Sequence, residues 1–209
     1  MSRSSTGHRW ERLGGGVSEL PREVACAAQS DMPILITGEE LEDNRAVAEA
    51  IHRRSRRAGA PFLTVDCAGM SESLLESKLF GCVGTDGVTR ASCGCLERAH
   101  SGTVFIANID AMSVRLQALL LQFLEDGDIR RVGDVPVHRR VDVRLMTSDD
   151  GSLFASAPHM SFNEDLLYRL NVMHLVIPPP FRLHEIVSNQ PAETLFDRSA
   201  PIGGGARAH

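Results

Sequence analysis

The sequence has no run approaching the roughly 18 consecutive apolar residues of a membrane-spanning helix, and its opening, MSRSSTGHRWERLGGG, lacks the apolar core of a signal peptide. A soluble, cytoplasmic protein is therefore expected. Cysteines are few: Cys26, Cys67, Cys82, Cys93 and Cys95 make an odd set without the spacing of a disulfide framework. Cys82, Cys93 and Cys95 also lack the paired spacing of zinc sites, so loop thiols are expected and no metal. An excess of positive charge is missing too. A formal charge of -5 and a pI near 5.9 remove any overall electrostatic reason to bind nucleic acid tightly, leaving only a local basic patch. The candidates are Arg53, Arg54, Arg56 and Arg57 with Arg139 and Arg140, and a solvated helix end explains the first four more simply.

What is present suits one ordinary domain, since 209 residues that are 43% apolar can fill a single core. Residues 1–16 end in Gly14-Gly15-Gly16 and read as a flexible lead-in. Residues 17–187 carry the domain, and 188–209, with Pro191, Pro201 and Gly203-Gly204-Gly205, read as a disordered tail.

Within the domain, short apolar runs alternate with helical periodicity. Leu20, Val24 and Ala27 or Ala28 predict a first helix over 17–30, followed by a strand at Ile34-Leu35-Ile36 and a helix from about Arg45 to Arg57. A strand at 62–65 precedes a helix over 71–80, with Ser71 as N-cap and Leu74, Leu75 and Leu79 inward. Residues 82–95 read as a loop, then Val104-Phe105-Ile106 as a strand. Ser113 caps a helix that turns Leu116, Leu119, Leu120, Phe123 and Leu124 inward. Val141, Val143 and Leu145 alternate as a strand, 162–170 is a short helix and 172–177 a last strand. Alternation of this kind implies an α/β fold: a five-stranded parallel sheet with helices on both faces.

The stretch PILITGEELEDNRAVAEAIH, Pro33 to His52, has the strand, glycine, turn and helix order of a phosphate-binding loop. Further phrases are AVAEAIHRRSRRAGAPFLTVDCAGM from Ala46, LLESKLFG from Leu74, SGTVFIANIDAM from Ser101, LLLQFLEDGDIRRVG from Leu119, VDVRL from Val141 and EDLLYRLNV from Glu164. Their order and spacing resemble the AAA+ central domain of sigma-54-dependent transcription activators over roughly residues 30–187. The resemblance implies a P-loop NTPase-like AAA+ core. The helical lid is expected to be largely missing, because the pattern dissolves after Ile177-Pro178-Pro179-Pro180-Phe181-Arg182, and no C-terminal DNA-binding motif is expected.

The resemblance is best in the scaffold and worst in the chemistry. The family's loop, Gly-Glu-Ser-Gly-Thr-Gly-Lys-Glu, here reads Gly38-Glu39-Glu40-Leu41-Glu42-Asp43-Asn44-Arg45, so Asn44 replaces the lysine that neutralises phosphate. Gly38, Glu39 and Asn44 are the degenerate cofactor-binding positions. Each added carboxylate repels a phosphate about 4 Å away by about 1 kcal/mol in water and several-fold more near a protein surface. The strand expected to end Leu-Asp-Glu ends Ala107-Asn108; the first cannot ligate magnesium and the second cannot take a proton from water. Asp110 is expected as a solvated turn residue.

The finger region reads Phe162-Asn163-Glu164-Asp165, losing one arginine, and keeps Arg169, for which an ion pair with a residue such as Asp165 is expected. Met146-Thr147-Ser148-Asp149-Asp150 places carboxylates at the sensor strand, and Thr85-Asp86-Gly87-Val88-Thr89-Arg90 lacks the aromatic tip of the sigma-54 contact loop. These departures imply a non-hydrolysing pseudo-ATPase without bound ATP or magnesium, acting through protein contacts with AAA+ relatives or further copies of itself and not with sigma-54. The alternative is a transcription regulator with weak ATP binding and little or no hydrolysis.

Overall fold

The computed structural model describes residues 20–84, 91–133, 139–154 and 162–178. Strands β1 (Ile34–Thr37), β2 (Phe62–Asp66), β5 (Thr103–Ala107), β8 (Arg144–Asp149) and β9 (Met173–Val176) form the expected five-stranded sheet, ordered β2-β5-β8-β1-β9 and parallel throughout. Two antiparallel pairs lie outside it: β3 (Gly81–Cys82) with β4 (Ser92–Cys93), and β6 (Asp128–Ile129) with β7 (Arg139–Arg140).

The helices are α1 (Leu20–Gln29), α2 (Leu41–Arg54), α3 (Glu72–Phe80), α4 (Cys95–Arg98), α5 (Val114–Asp126) and α6 (Glu164–Leu170). Alternate residues of the sheet feed two cores. Ile34, Ile36, Phe105 and Met146 pack with Leu20, Val24, Val47 and Ile51 of α1 and α2. On the other face Leu35, Val104, Ile106 and Leu145 pack with Leu75, Leu79, Leu116, Leu120, Phe123 and Leu166. A central parallel strand buried on both faces must be apolar at every position, as Ile34-Leu35-Ile36 is.

Several boundaries differ from the sequence expectation. Helix α2 begins at Leu41, four residues early, because Glu42 and Asp43 in its first turn and His52, Arg53 and Arg54 in its last complement the helix dipole. Leu74 faces solvent at 55% exposure, so α3 buries only Leu75, Glu76, Leu79 and Phe80. Ser71 stands at the N-cap of α3 without a capping hydrogen bond, whereas the Ser113 hydroxyl accepts from the Leu116 N-H as expected. Strand β8 starts at Arg144 and not at Val141, and it runs through the sensor residues to Asp149 with every residue buried. The expected loop over 82–95 contains β4 and the first residue of α4. The lead-in, the tail, the lid segment beyond Pro178 and the contact-loop segment 85–90 lie outside the described residues.

The strands all run one way, so Thr37, Asp66, Ala107, Asp149 and Val176 meet at the carboxyl edge; Thr37 pairs with Asp149 and Val176, and Asp66 with Ala107. Ligands of open α/β sheets bind at that edge, beside the strand where the order reverses. Here it is β1, flanked by β8 and β9.

Candidate functional site

Only Gly38, Glu39 and Glu40 separate β1 from α2, so the turn that should wrap a phosphate is short. The buried Asn44 folds back into it: its Nδ2 donates to the Gly38 carbonyl at 2.9 Å. Its Oδ1 has no partner and lies 2.3 Å from where a Cβ on Gly38 would stand. The Asn44 amide thus occupies the inside of the turn, against the glycine that opens it. Glu39, Glu40 and Arg45 are exposed, and burial followed by the charge of Glu40 raises the Asp43 carboxyl above its ordinary range. No other lysine can take the missing role, because the chain's single lysine is Lys78, in the last turn of α3.

The contact between Gly38 and Asn44 makes a prediction. Gly38→Ala should destabilise the fold by about 2 kcal/mol in urea denaturation, by driving the buried amide from its place. In an Asn44→Ala background the same change should cost less than half as much; equal costs would mean that the amide does not fill the turn.

At the end of β5, Ala107 is buried and offers no ligand oxygen. Asn108 adopts the left-handed conformation, φ 51°, which asparagine tolerates better than other side chains bearing a Cβ. That turn aims its amide across to β2, where Nδ2 donates to Asp66 Oδ1 at 2.7 Å. The same oxygen accepts from the Ala68 N-H at 3.0 Å. A carboxylate and an amide therefore sit side by side at the edge, with the carboxylate on β2 and not on β5.

Asp110 is not the solvated residue expected from the sequence. It lies half-buried in a 3-10 turn (Ile109–Ala111), and burial, with Asp150 and Asp149 adding, holds its carboxyl above the ordinary range. Burial, followed by Asp66 and Asp110, pushes the neighbouring Cys67 thiol up to about 12, so it stays protonated and inert.

The sensor carboxylate of Asp149 turns inward. Its Oδ1 accepts from the Thr37 hydroxyl at 2.8 Å and its Oδ2 from the Gly151 and Leu153 N-H groups at 2.9 and 3.2 Å. Thr37 also meets His174 Nε2 at 2.9 Å, and Phe154 stacks on the His174 ring, so side chains of three adjacent strands are linked under the turn. Burial raises the Asp149 carboxyl even though three donors oppose the shift. Both oxygens of the carboxylate thus accept from groups of the chain itself.

The finger positions have local employment. Asn163 accepts from the Leu166 N-H as the N-cap of α6, and its own N-H donates to Gln117 Oε1 at 2.8 Å. Arg169 is ion-paired as expected, but with Glu125 of α5 at 2.9 Å and not with Asp165. Helix α6 packs on α5, which presents Glu125 to Arg169.

Sequence reasoning thus located Gly38, Asn44, Ala107, Asn108 and Asp149 at one edge, and missed Asp66 and His174. Asp66 had a usable signal as a carboxylate ending a predicted strand beside β5. His174 had none, because its contact depends on β9 lying next to β1. Cys82, Cys93 and Cys95 form no disulfide, and among the described residues no group of His, Cys, Asp or Glu could hold a metal ion. No helix among them is long and apolar enough to cross a membrane.

A parallel sheet with this strand order, a glycine turn after β1 and a helix starting there define an AAA+ P-loop NTPase-like domain. Consistent with that, the P-loop NTPase domain of an Escherichia coli sigma-54 activator superposes over 83% of this chain and 99% of its own, with TM-score 0.53 at 16% identity. The sigma-54 interaction domain model matches residues 15–176, and the chain belongs to that family of transcription-regulator domains. Regulatory protein AtoC of Escherichia coli (strain K12) is 37% identical over 182 residues, covering 84% of this chain and 39% of AtoC. NtrX of Brucella abortus, crystallised in complex with ATP, is similar at 31% identity and TM-score 0.69, over 79% of this chain and 37% of that one. The chain spans about two fifths of the length of these relatives.

Proposed function

We propose that this chain is a sigma-54 interaction domain that does not hydrolyse ATP and acts through contacts with AAA+ relatives or further copies of itself. The observation that carries the reading is Asn44. Where the cradle needs a lysine ammonium reaching for phosphate oxygens, a neutral amide is turned back onto Gly38, inside a turn bearing Glu39 and Glu40 and followed by Glu42 and Asp43 in the first turn of α2. Ala107 offers no oxygen to magnesium and Asn108 no base for water, and with no lysine in the turn the residues present do not fit a magnesium triphosphate, so no catalytic step is assigned. Asn163 and Arg169 are engaged within the chain, which supports the view that it offers no free finger to a neighbour's site either. In a mixed assembly such a chain would silence the neighbouring site as well as its own.

The reading is tested by phosphate release with ATP and magnesium, alone and mixed with an intact relative. The chain alone should release no phosphate above the protein-free blank, and it should co-purify with the relative and lower its turnover. Sustained phosphate release by the chain alone would overturn the reading. A second reading, ATP binding without hydrolysis, draws on the likeness to NtrX, which has been crystallised with ATP.

A further inference from the structure

We propose that Asp149, Thr37 and His174 form a one-proton relay, a pH-sensitive device in which the direction of the Thr37 hydroxyl fixes the protonation of both its neighbours. The inference does not depend on the state of the ATP site. The Thr37 oxygen lies 2.8 Å from Asp149 Oδ1 and 2.9 Å from His174 Nε2, so one hydroxyl joins β8, β1 and β9. A hydroxyl carries a single proton. If it donates to one neighbour, the other must donate to it. Thr37 and Asp149 are 2% and 1% exposed, so the choice is made inside the protein.

Asp149 Oδ2 already accepts from the Gly151 and Leu153 N-H groups, which sends an incoming proton to Oδ1. With Asp149 ionised, Thr37 donates to Oδ1 and His174 donates its Nε2-H to Thr37. With Asp149 neutral, the Oδ1-H donates to Thr37, Thr37 turns its own proton to Nε2, and the ring keeps its proton on Nδ1. His174 is only partly buried, so its ring exchanges protons with solvent and the change takes up one proton in all. A charged His174 has protons on both nitrogens and can only donate, which holds Asp149 ionised. A second proton on the pair would leave the buried hydroxyl accepting from both sides with its own proton unpaired.

Desolvation raises Asp149 from its ordinary 3.8 and lowers His174 from 6.5, so the two compete for one proton in mildly acid solution. Among the described residues, Asp150 and Asp110 of the 3-10 turn face Asp149. Thr37 and Phe154, which carry no charge, face His174, the two rings stacking with centroids 4.9 Å apart. Helix α6, packed on the same face of the sheet, bears Glu164, Asp165 and Arg169, all exposed, while α1 and α2 lie on the other face. The Asp149 carbonyl also accepts from the Gly38 N-H at 3.1 Å, so a proton taken up beside the glycine turn is registered on the outer strand β9.

NMR of the ring nitrogens and the Asp149 carboxyl carbon in the full chain tests this. At pH 7.5 the parent His174 should carry its proton on Nε2. Asp149→Asn should move it to Nδ1: the amide oxygen keeps the Gly151 and Leu153 N-H groups, so Nδ2 donates to Thr37, which must then donate to Nε2. Thr37→Val added to that chain should cancel the shift, and Thr37→Ser should preserve it. In the parent chain, protonation of either group should delay protonation of the other as pH falls. Two independent single-site curves would overturn the proposal without any substitution. So would a parent ring protonated on Nδ1 at pH 7.5, or an Asp149→Asn chain that keeps the proton on Nε2.

Discussion

Arg144→Ala should destabilise the domain by about 4 kcal/mol, the largest effect expected of any single change considered. Arg144 opens β8 and is 1% exposed, among the largest fully buried side chains. Helix α1 ends without a basic residue in its last turn, and Arg144 supplies the missing donors: Nη2 bonds the Ala27 carbonyl at 2.6 Å and Nε the Met32 carbonyl at 3.3 Å. Truncation leaves both carbonyls unpaired and a cavity between α1 and the sheet.

The arrangement is costly as well as useful. Burial lowers the guanidinium pKa, Asp31 opposes the shift and Arg57 reinforces it, while Nη1 has no partner. Arg144→Met removes that burden and keeps most of the volume, so it should lose only about half as much stability. Urea denaturation of the three proteins checks both values; an Arg144→Ala midpoint within about 1 kcal/mol of the parent would show that α1 does not depend on this residue.

Asn108→Glu, which restores the family's residue at that position, should destabilise by about 3 kcal/mol and should not by itself create activity. The new carboxylate meets that of Asp66, now 2.7 Å from the Asn108 amide, and the donated hydrogen bond is lost. Glutamate also tolerates the left-handed backbone at φ 51° less well than asparagine. Asp66→Asn in the same chain reverses the roles, because an amide on β2 can donate to the new glutamate while its oxygen keeps the Ala68 N-H. The double variant should recover about 2 kcal/mol, a coupling that separate sites would not show.

The pH dependence gives the sign independently. Two facing carboxylates share a proton more readily in the fold than in the unfolded chain, so the raised folded pKa makes Asn108→Glu least unstable at low pH. That relief should fade as pH rises through the folded pKa. A variant equally unstable at pH 4.5 and 7.5 would rule out charge repulsion as the cause.

The sheet was legible because period and length agree for its strands: Ile34-Leu35-Ile36 and Val104-Phe105-Ile106 are too short and too apolar for anything but buried strands between amphipathic helices. Boundaries were less so where charge decided them. The acids of Glu40 to Asp43 read as an open turn, yet at a helix N-terminus they favour one more turn of α2. Likewise Leu74 has the apolar character of a core residue but the wrong angular position on α3. At the site, sequence alone exposed what is missing, Lys to Asn44 and Asp-Glu to Ala107-Asn108. It did not expose what the replacements do, since the Asn44 return to Gly38, the Asp66–Asn108 pair and the Thr37–Asp149–His174 link all join residues through the fold.

Calorimetric titration of the full chain with ATP and magnesium tests most directly whether the altered phosphate turn still takes a nucleotide. The predicted result is heat of dilution alone up to millimolar nucleotide, unchanged by Asn44→Ala, because the acidic residues remain. Saturable heat with a defined stoichiometry in the parent chain would contradict the account.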